Sequence, residues 1–153
     1  MFAAILLAAV TSLAPIQTSS AGWLNASAAP STSGRVTIVD VFTYGCINCQ
    51  HVTPELRKLH ASIPARDLAI VGVHAPETPE ERVHANVARA LREQGVAWPV
   101  VFDDDFAIWH AYGVTAWPTQ LVFDRRGRLR ATYVGEGFDL QLEKTIRGLV
   151  AER

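Results

Sequence analysis

Sulfur is scarce in this chain: 153 residues carry one methionine and two cysteines. Two cysteines allow at most one internal disulfide, and alone they cannot close a zinc site, which takes four ligands. Neither sign of charge is in excess, with 14 Lys and Arg against 15 Asp and Glu and a formal net charge of −1. No run of like charge occurs, so neither nucleic acid nor an anionic surface is expected as a partner. Internal repeats and low-complexity tracts are also lacking. What is present is a hydrophobic content of 49% with 19% charged residues. That is the composition of a soluble globular chain rather than a disordered one, and the length suits one domain around one core.

The N-terminal stretch differs from the rest. Phe2 to Val10 reads FAAILLAAV, the next ten residues are uncharged, and Ser19-Ser20-Ala21 supplies small residues. The run is short of the roughly 20 apolar residues of a membrane span. It fits the apolar core of a secretory signal over residues 1–21, with cleavage near Ala21. No Lys or Arg precedes that core, so either the signal is atypical or the natural start lies upstream. A buried N-terminal helix and an uncleaved anchor are the alternatives. No other segment is apolar enough to cross a membrane. The signal reading makes the protein an exported one, periplasmic or held in the cell envelope.

The two cysteines stand three apart, as Cys46-Ile47-Asn48-Cys49. A bridge that short closes almost no loop, so it restricts the unfolded chain very little. Reactivity is the better reason for such a pair in an exported protein.

The flanking pattern is that of an α/β domain over residues 35–153, preceded by an extended, small-residue lead-in over 22–34. Val36 to Phe42 is nearly continuous apolar and β-branched, a buried strand interrupted by Asp40. Val52, Leu56, Leu59 and Ile63 recur at helical spacing. That helix is expected to begin at the cysteines and to kink at Pro54. Leu68 to His74 is a second buried strand, completing a parallel βαβ unit. Thr78-Pro79-Glu80-Glu81 reads as a helix start with a capping box, continued by Val83, Val87 and Leu91 until Gly95. Trp98 to Phe102 is a short strand and Asp105 to Tyr112 a short helix. Thr119 to Phe123 and Leu129 to Val134 form a hairpin about Asp124-Arg125-Arg126-Gly127. Asp139 can cap a last helix that turns Leu142, Ile146, Leu149 and Val150 inward. The expected architecture is a mixed sheet of four to five strands flanked by helices.

This order of elements around CxxC resembles the thioredoxin fold. Asp40, six before Cys46, and Pro54, five after Cys49, stand at thioredoxin spacings, and Pro118 matches the position of the superfamily's cis-proline loop. The long segment from Pro76 to Tyr112 is similar to the central insertion of the TlpA-like branch of exported thiol-disulfide proteins. The nearest likeness is to the thioredoxin-like domain of DipZ-type proteins. It is carried by Trp23-Leu24-Asn25, Phe42-Thr43-Tyr44-Gly45-Cys46-Ile47-Asn48-Cys49, Gly72-Val73-His74 with Pro76-Glu77, Trp109 to Gly113, Trp117-Pro118 and Gly135-Glu136-Gly137. It covers roughly residues 22 to 150. Two positions depart from common thioredoxins: Gly45 stands where many have Trp, and Trp117 where a small or β-branched residue precedes the proline. DipZ-type proteins also carry a membrane electron-transfer domain, which has no counterpart in these 153 residues.

The resemblance implies a site. Cys46, at a helix N-terminus, is the nucleophile, and Cys49, one turn on, resolves the mixed disulfide. Asp40 exchanges the proton of Cys49; a carboxylate that reaches solvent at the strand end is its plainer reading. Pro118 is expected after a cis bond, with the backbone of Trp117 pairing with an extended substrate. Gly45, Ile47 and Asn48 line the same surface. No cofactor beyond a redox-active Cys46–Cys49 disulfide and no metal is implied. The partners would be protein thiols and disulfides and a membrane electron donor, met by a monomer. The expected activity is protein-disulfide reduction. A metal-binding or redox-inert module, drawing on His51, His60, His74, His84 or His110, is the alternative from another class. Peroxide reduction through Cys46 ranks below both, on the expectation that the Thr-x-x-Cys arrangement that resembles peroxiredoxins is lacking.

Overall fold

A computed structural model of the protein describes residues 9–152. One mixed sheet of six strands runs through it. The strands are β1 (Trp23–Leu24), β2 (Val36–Phe42), β3 (Leu68–His74), β4 (Val100–Phe102), β5 (Thr119–Phe123) and β6 (Leu129–Val134), in the spatial order β1-β4-β3-β2-β5-β6. β2, β3 and β4 are parallel, and β1, β5 and β6 join antiparallel to their neighbours. All seven residues of β2 and all seven of β3 are buried, as continuous apolar central strands should be.

The sixth strand is the addition to the expected four to five. Trp23–Leu24, read as extended lead-in, pairs with Val100 and Val101. The next residue explains why so short a strand holds: Asn25 donates its side-chain amide to the carbonyls of Val96 and Trp98.

Alternation along β2 divides the interior in two. Val36, Ile38 and Phe42 face the cluster formed by α2 (Ile47–Ser62), α3 (His84–Glu93) and α5 (Asp139–Ala151), with Cys49, Val52, Leu56 and Leu59 of α2 among its members. Val39 and Val41 face the opposite cluster, with Ile108 and Trp109 of α4 (Ala107–Ala111). Leu13 and Ile16, flanking and within the four-residue α1 (Ala14–Gln17), pack into that second cluster. Part of the stretch read as a signal therefore lies against the domain; Met1 to Ala8 fall outside the described residues. No helix among those residues is long and apolar enough to cross a membrane.

The helix expected from Thr78 is divided. A 3-10 turn at Glu80–Arg82 precedes α3, and Val83 between them is extended. The Thr78 hydroxyl makes no cap. Glu81 supplies its half of the capping box, accepting the backbone N–H of Thr78 at 3.1 Å and also that of Glu77 at 2.6 Å.

Candidate active site at the junction of β2 and α2

The parallel strands end together, and α2 starts where β2 stops. Cys46 is the N-cap of α2, in extended backbone, and its Sγ accepts the N–H of Cys49 at 3.2 Å. One of the unpaired donors at a helix start is thus spent on the cysteine sulfur, which stabilises negative charge there. Cys46 is partly exposed and Cys49 is 4% exposed. Burial and a hydrogen bond to Cys46 push the Cys49 thiol far above the usual range, and the charge of Asp40 adds to the rise. Sequence spacing expected this inequality between the two sulfurs.

Asp40 is buried, at 5% exposure, and shares the β2 face of Ile38 and Phe42 that looks toward α2. It does not reach solvent, so the plainer reading of this residue does not hold. Desolvation raises its carboxyl to about 6, against a smaller opposing pull from the Gln120 side chain, which donates to Oδ1 at 2.8 Å. Gln120 is the cross-strand partner of Asp40 in β5. Sequence reasoning missed it, although a polar residue in each of two buried strands was the available signal.

The Trp117–Pro118 bond is cis. Register places it at the end of β2, because Thr119 pairs with Val41, so the loop that carries it stands beside residues 43–46. Pro118 is buried and its carbonyl accepts the Gly135 N–H. Trp117 is half-buried. Its indole N–H donates to Ala75 O at 2.9 Å and its ring lies 4.5 Å from that of Trp109. That side chain is wedged between the two core clusters; its indole N–H is not offered to a ligand. Ile47 and Asn48 are exposed on the first turn of α2, Ile47 at 60%.

Gly45 is explained by a neighbour that sequence reasoning treated only as a capping group. A Cβ at Gly45 would collide with Oε1 of Glu81, a carboxylate that is 4% exposed. The Trp of many thioredoxins has no room here. The Tyr44–Gly45 turn is further pinned: Gln50 and Gln94 donate to Tyr44 O, and the Tyr44 N–H donates to His74 Nε2 at 3.3 Å. The rings of Tyr44 and His74 stack. Burial lowers His74 to about 4, so it is neutral near pH 7. Thr43, three before Cys46, makes the Thr-x-x-Cys spacing that resembles peroxiredoxins, so the expectation that the chain lacks it was wrong. Its hydroxyl meets His74 Nε2 at 3.4 Å.

The other histidines are dispersed. His51 pairs with Glu136, His84 with Asp104, and His60 lies against Trp98. Among the described residues no group of three His, Cys, Asp or Glu side chains is arranged to hold a metal ion.

Residues 16–132 match the AhpC/TSA family. The chain belongs to that family. The chicken (Gallus gallus) NHL repeat-containing protein 2 is 39% identical over 105 residues, covering 68% of this chain and 14% of the relative. Protein DipZ of Mycobacterium tuberculosis is 33% identical over 134 residues, covering 84% of this chain and 19% of the relative. The chain thus spans less than a fifth of the length of these relatives. Among solved structures, a thiol-disulfide isomerase from Corynebacterium glutamicum superposes with a TM-score of 0.77 at 25% identity, over 86% of this chain and 92% of that one. The fold is thioredoxin-like.

Proposed function

We propose that this member of the AhpC/TSA family reduces protein disulfides through Cys46 and Cys49. The observation that carries the reading is the inequality of the two sulfurs. One is partly exposed and receives a helix-start N–H; the other is buried beside a carboxylate whose raised pKa suits it to take a proton near neutral pH.

The Cys46 thiolate attacks one sulfur of a substrate disulfide, forms a mixed disulfide, and releases the other substrate sulfur as a thiolate. Asp40 takes the proton of Cys49. The Cys49 thiolate then attacks Sγ of Cys46, closing the Cys46–Cys49 disulfide and releasing the second substrate thiolate. Two electrons pass to the substrate, and a dithiol donor must return them before the next turnover. The backbone of Trp117, ahead of Pro118 and beside the cysteine loop, is the edge on which an extended substrate segment adds, with exposed Ile47 and Asn48 on the other side. The apolar leader and the likeness to DipZ support a place in the cell envelope and a membrane protein as the electron donor.

The test is reduction of insulin disulfides with dithiothreitol as the electron source. The wild-type chain accelerates it and Cys46→Ser abolishes the acceleration; full activity in Cys46→Ser would refute the assignment.

A further inference from the structure

Glu81 is a buried charge with no cationic partner. Among the described residues no Lys, Arg or His side chain forms an ion pair with it. One oxygen is tied down by two backbone N–H groups, of Glu77 and Thr78. The other oxygen abuts Gly45, so closely that any side chain there would strike it. Gly45 immediately precedes Cys46. The carboxylate is therefore held against the residue that immediately precedes the sulfur that starts the chemistry.

We propose that Glu81 is a positioning residue that sets the redox poise of the Cys46–Cys49 couple toward reduction of its partners. This rests on the disulfide-reduction reading above and names a group that favours that direction. The argument is electrostatic. A fixed negative charge disfavours a thiolate at Cys46 but leaves the neutral disulfide unaffected. A couple whose thiolate is stabilised is a strong oxidant, because its reduced form is favoured. A carboxylate works the other way: it favours the disulfide, so the reduced protein gives up its electrons more readily. Low exposure keeps the charge from being screened as a surface charge would be. The same contact accounts for a glycine at 45, since the carboxylate lies where a side chain there would begin. His74 belongs to this arrangement as a neutral prop: it holds the Tyr44 N–H and feels the Glu81 charge.

Glu81→Gln keeps the shape and the acceptor for the Glu77 and Thr78 N–H groups while removing the charge. Two measurements separate this proposal from the functional reading. The first is the equilibrium of the Cys46–Cys49 couple with glutathione. In Glu81→Gln it shifts toward the reduced protein by at least about threefold, or about 14 mV at 29.6 mV per tenfold. The second needs no disulfide exchange: alkylation of Cys46 by neutral iodoacetamide and by anionic iodoacetate. Removing the charge raises the iodoacetate rate relative to the iodoacetamide rate by about twofold or more. An unchanged glutathione equilibrium in a folded Glu81→Gln protein overturns the proposal. Should that variant not fold, Glu81→Asp, which keeps the charge but draws it back from Gly45, takes its place, and an unchanged glutathione equilibrium in it overturns the proposal. A wild-type couple that does not exchange with glutathione at all would sink the functional reading, and the alkylation ratio would still report on Glu81.

Discussion

Asp40 and His74 are two buried titrating residues at the ends of the same parallel strands, and their pH effects oppose each other. Asp40 holds its proton more tightly when folded, at about 6 against 3.8. Its contribution is full below about pH 4 and is lost as pH rises through 6, amounting to about 3 kcal/mol. His74 is held neutral, at about 4 against 6.5. Its contribution is present above about pH 6.5 and is lost as pH falls through 4, again by about 3 kcal/mol. The windows overlap, so the two slopes largely cancel in the wild-type protein. Asp40→Asn removes one of them. Urea unfolding of that variant should show a gain of up to about 3 kcal/mol at pH 8, and a stability that declines steeply from pH 6.5 to 4. A stability profile parallel to wild type would mean that Asp40 is not the buried acid described. The same variant should lose turnover at the resolving step, so that the mixed disulfide on Cys46 lives longer. Quenched-flow trapping of that species reads this directly.

At the scale of elements, α2 joins chemistry to packing. Its exposed first turn carries Cys46, Ile47 and Asn48, while Cys49, Val52, Leu56 and Leu59 are buried against the sheet. Leu56→Ala should cost about 2–5 kcal/mol through the cavity it leaves and lower the urea midpoint without changing the chemistry at Cys46. This helix, the two continuous apolar strands and the hairpin were legible in the sequence because each rests on a local pattern. So was the pairing of unequal cysteines, which follows from one strand–helix junction. What was not legible depends on contacts across the chain. The strand Trp23–Leu24 is too short for alternation to register and exists because β4 offers an edge. The division of the 78–93 segment by an extended Val83 is not marked in the helical periodicity. Gln120 beside Asp40, and Glu81 beside Gly45, are meetings of residues 80 and 36 positions apart in number, which no spacing rule brings together. Thr43-x-x-Cys46 was legible in the sequence and was read as lacking; the contact of its hydroxyl with His74 was not legible.

For the molecule as a whole, the described part of the N-terminal stretch is packed against the domain. Leu13 is 6% exposed and Ile16 1% exposed, and the N–H of Val10 donates to Ala111 O. If processing removes residues 1–21, this packing goes with them and the face of α4 beneath is uncovered. Burial of two such side chains is worth about 3–6 kcal/mol as an upper bound. A protein beginning at Gly22 should therefore fold with a lower urea midpoint than the full chain, yet keep its disulfide chemistry, since the cysteines lie on the other side of the sheet. Equal midpoints would show that α1 contributes nothing to the folded domain.

The whole account turns on Cys46 acting first and Cys49 second. The most direct measurement is mass spectrometry of the mixed disulfide formed when Cys49→Ser is mixed with a disulfide-bonded protein substrate. A stable adduct carried on Cys46, resolved at once in the wild-type protein, is the predicted result. An adduct that fails to form, or that leaves Cys46 free, would contradict it.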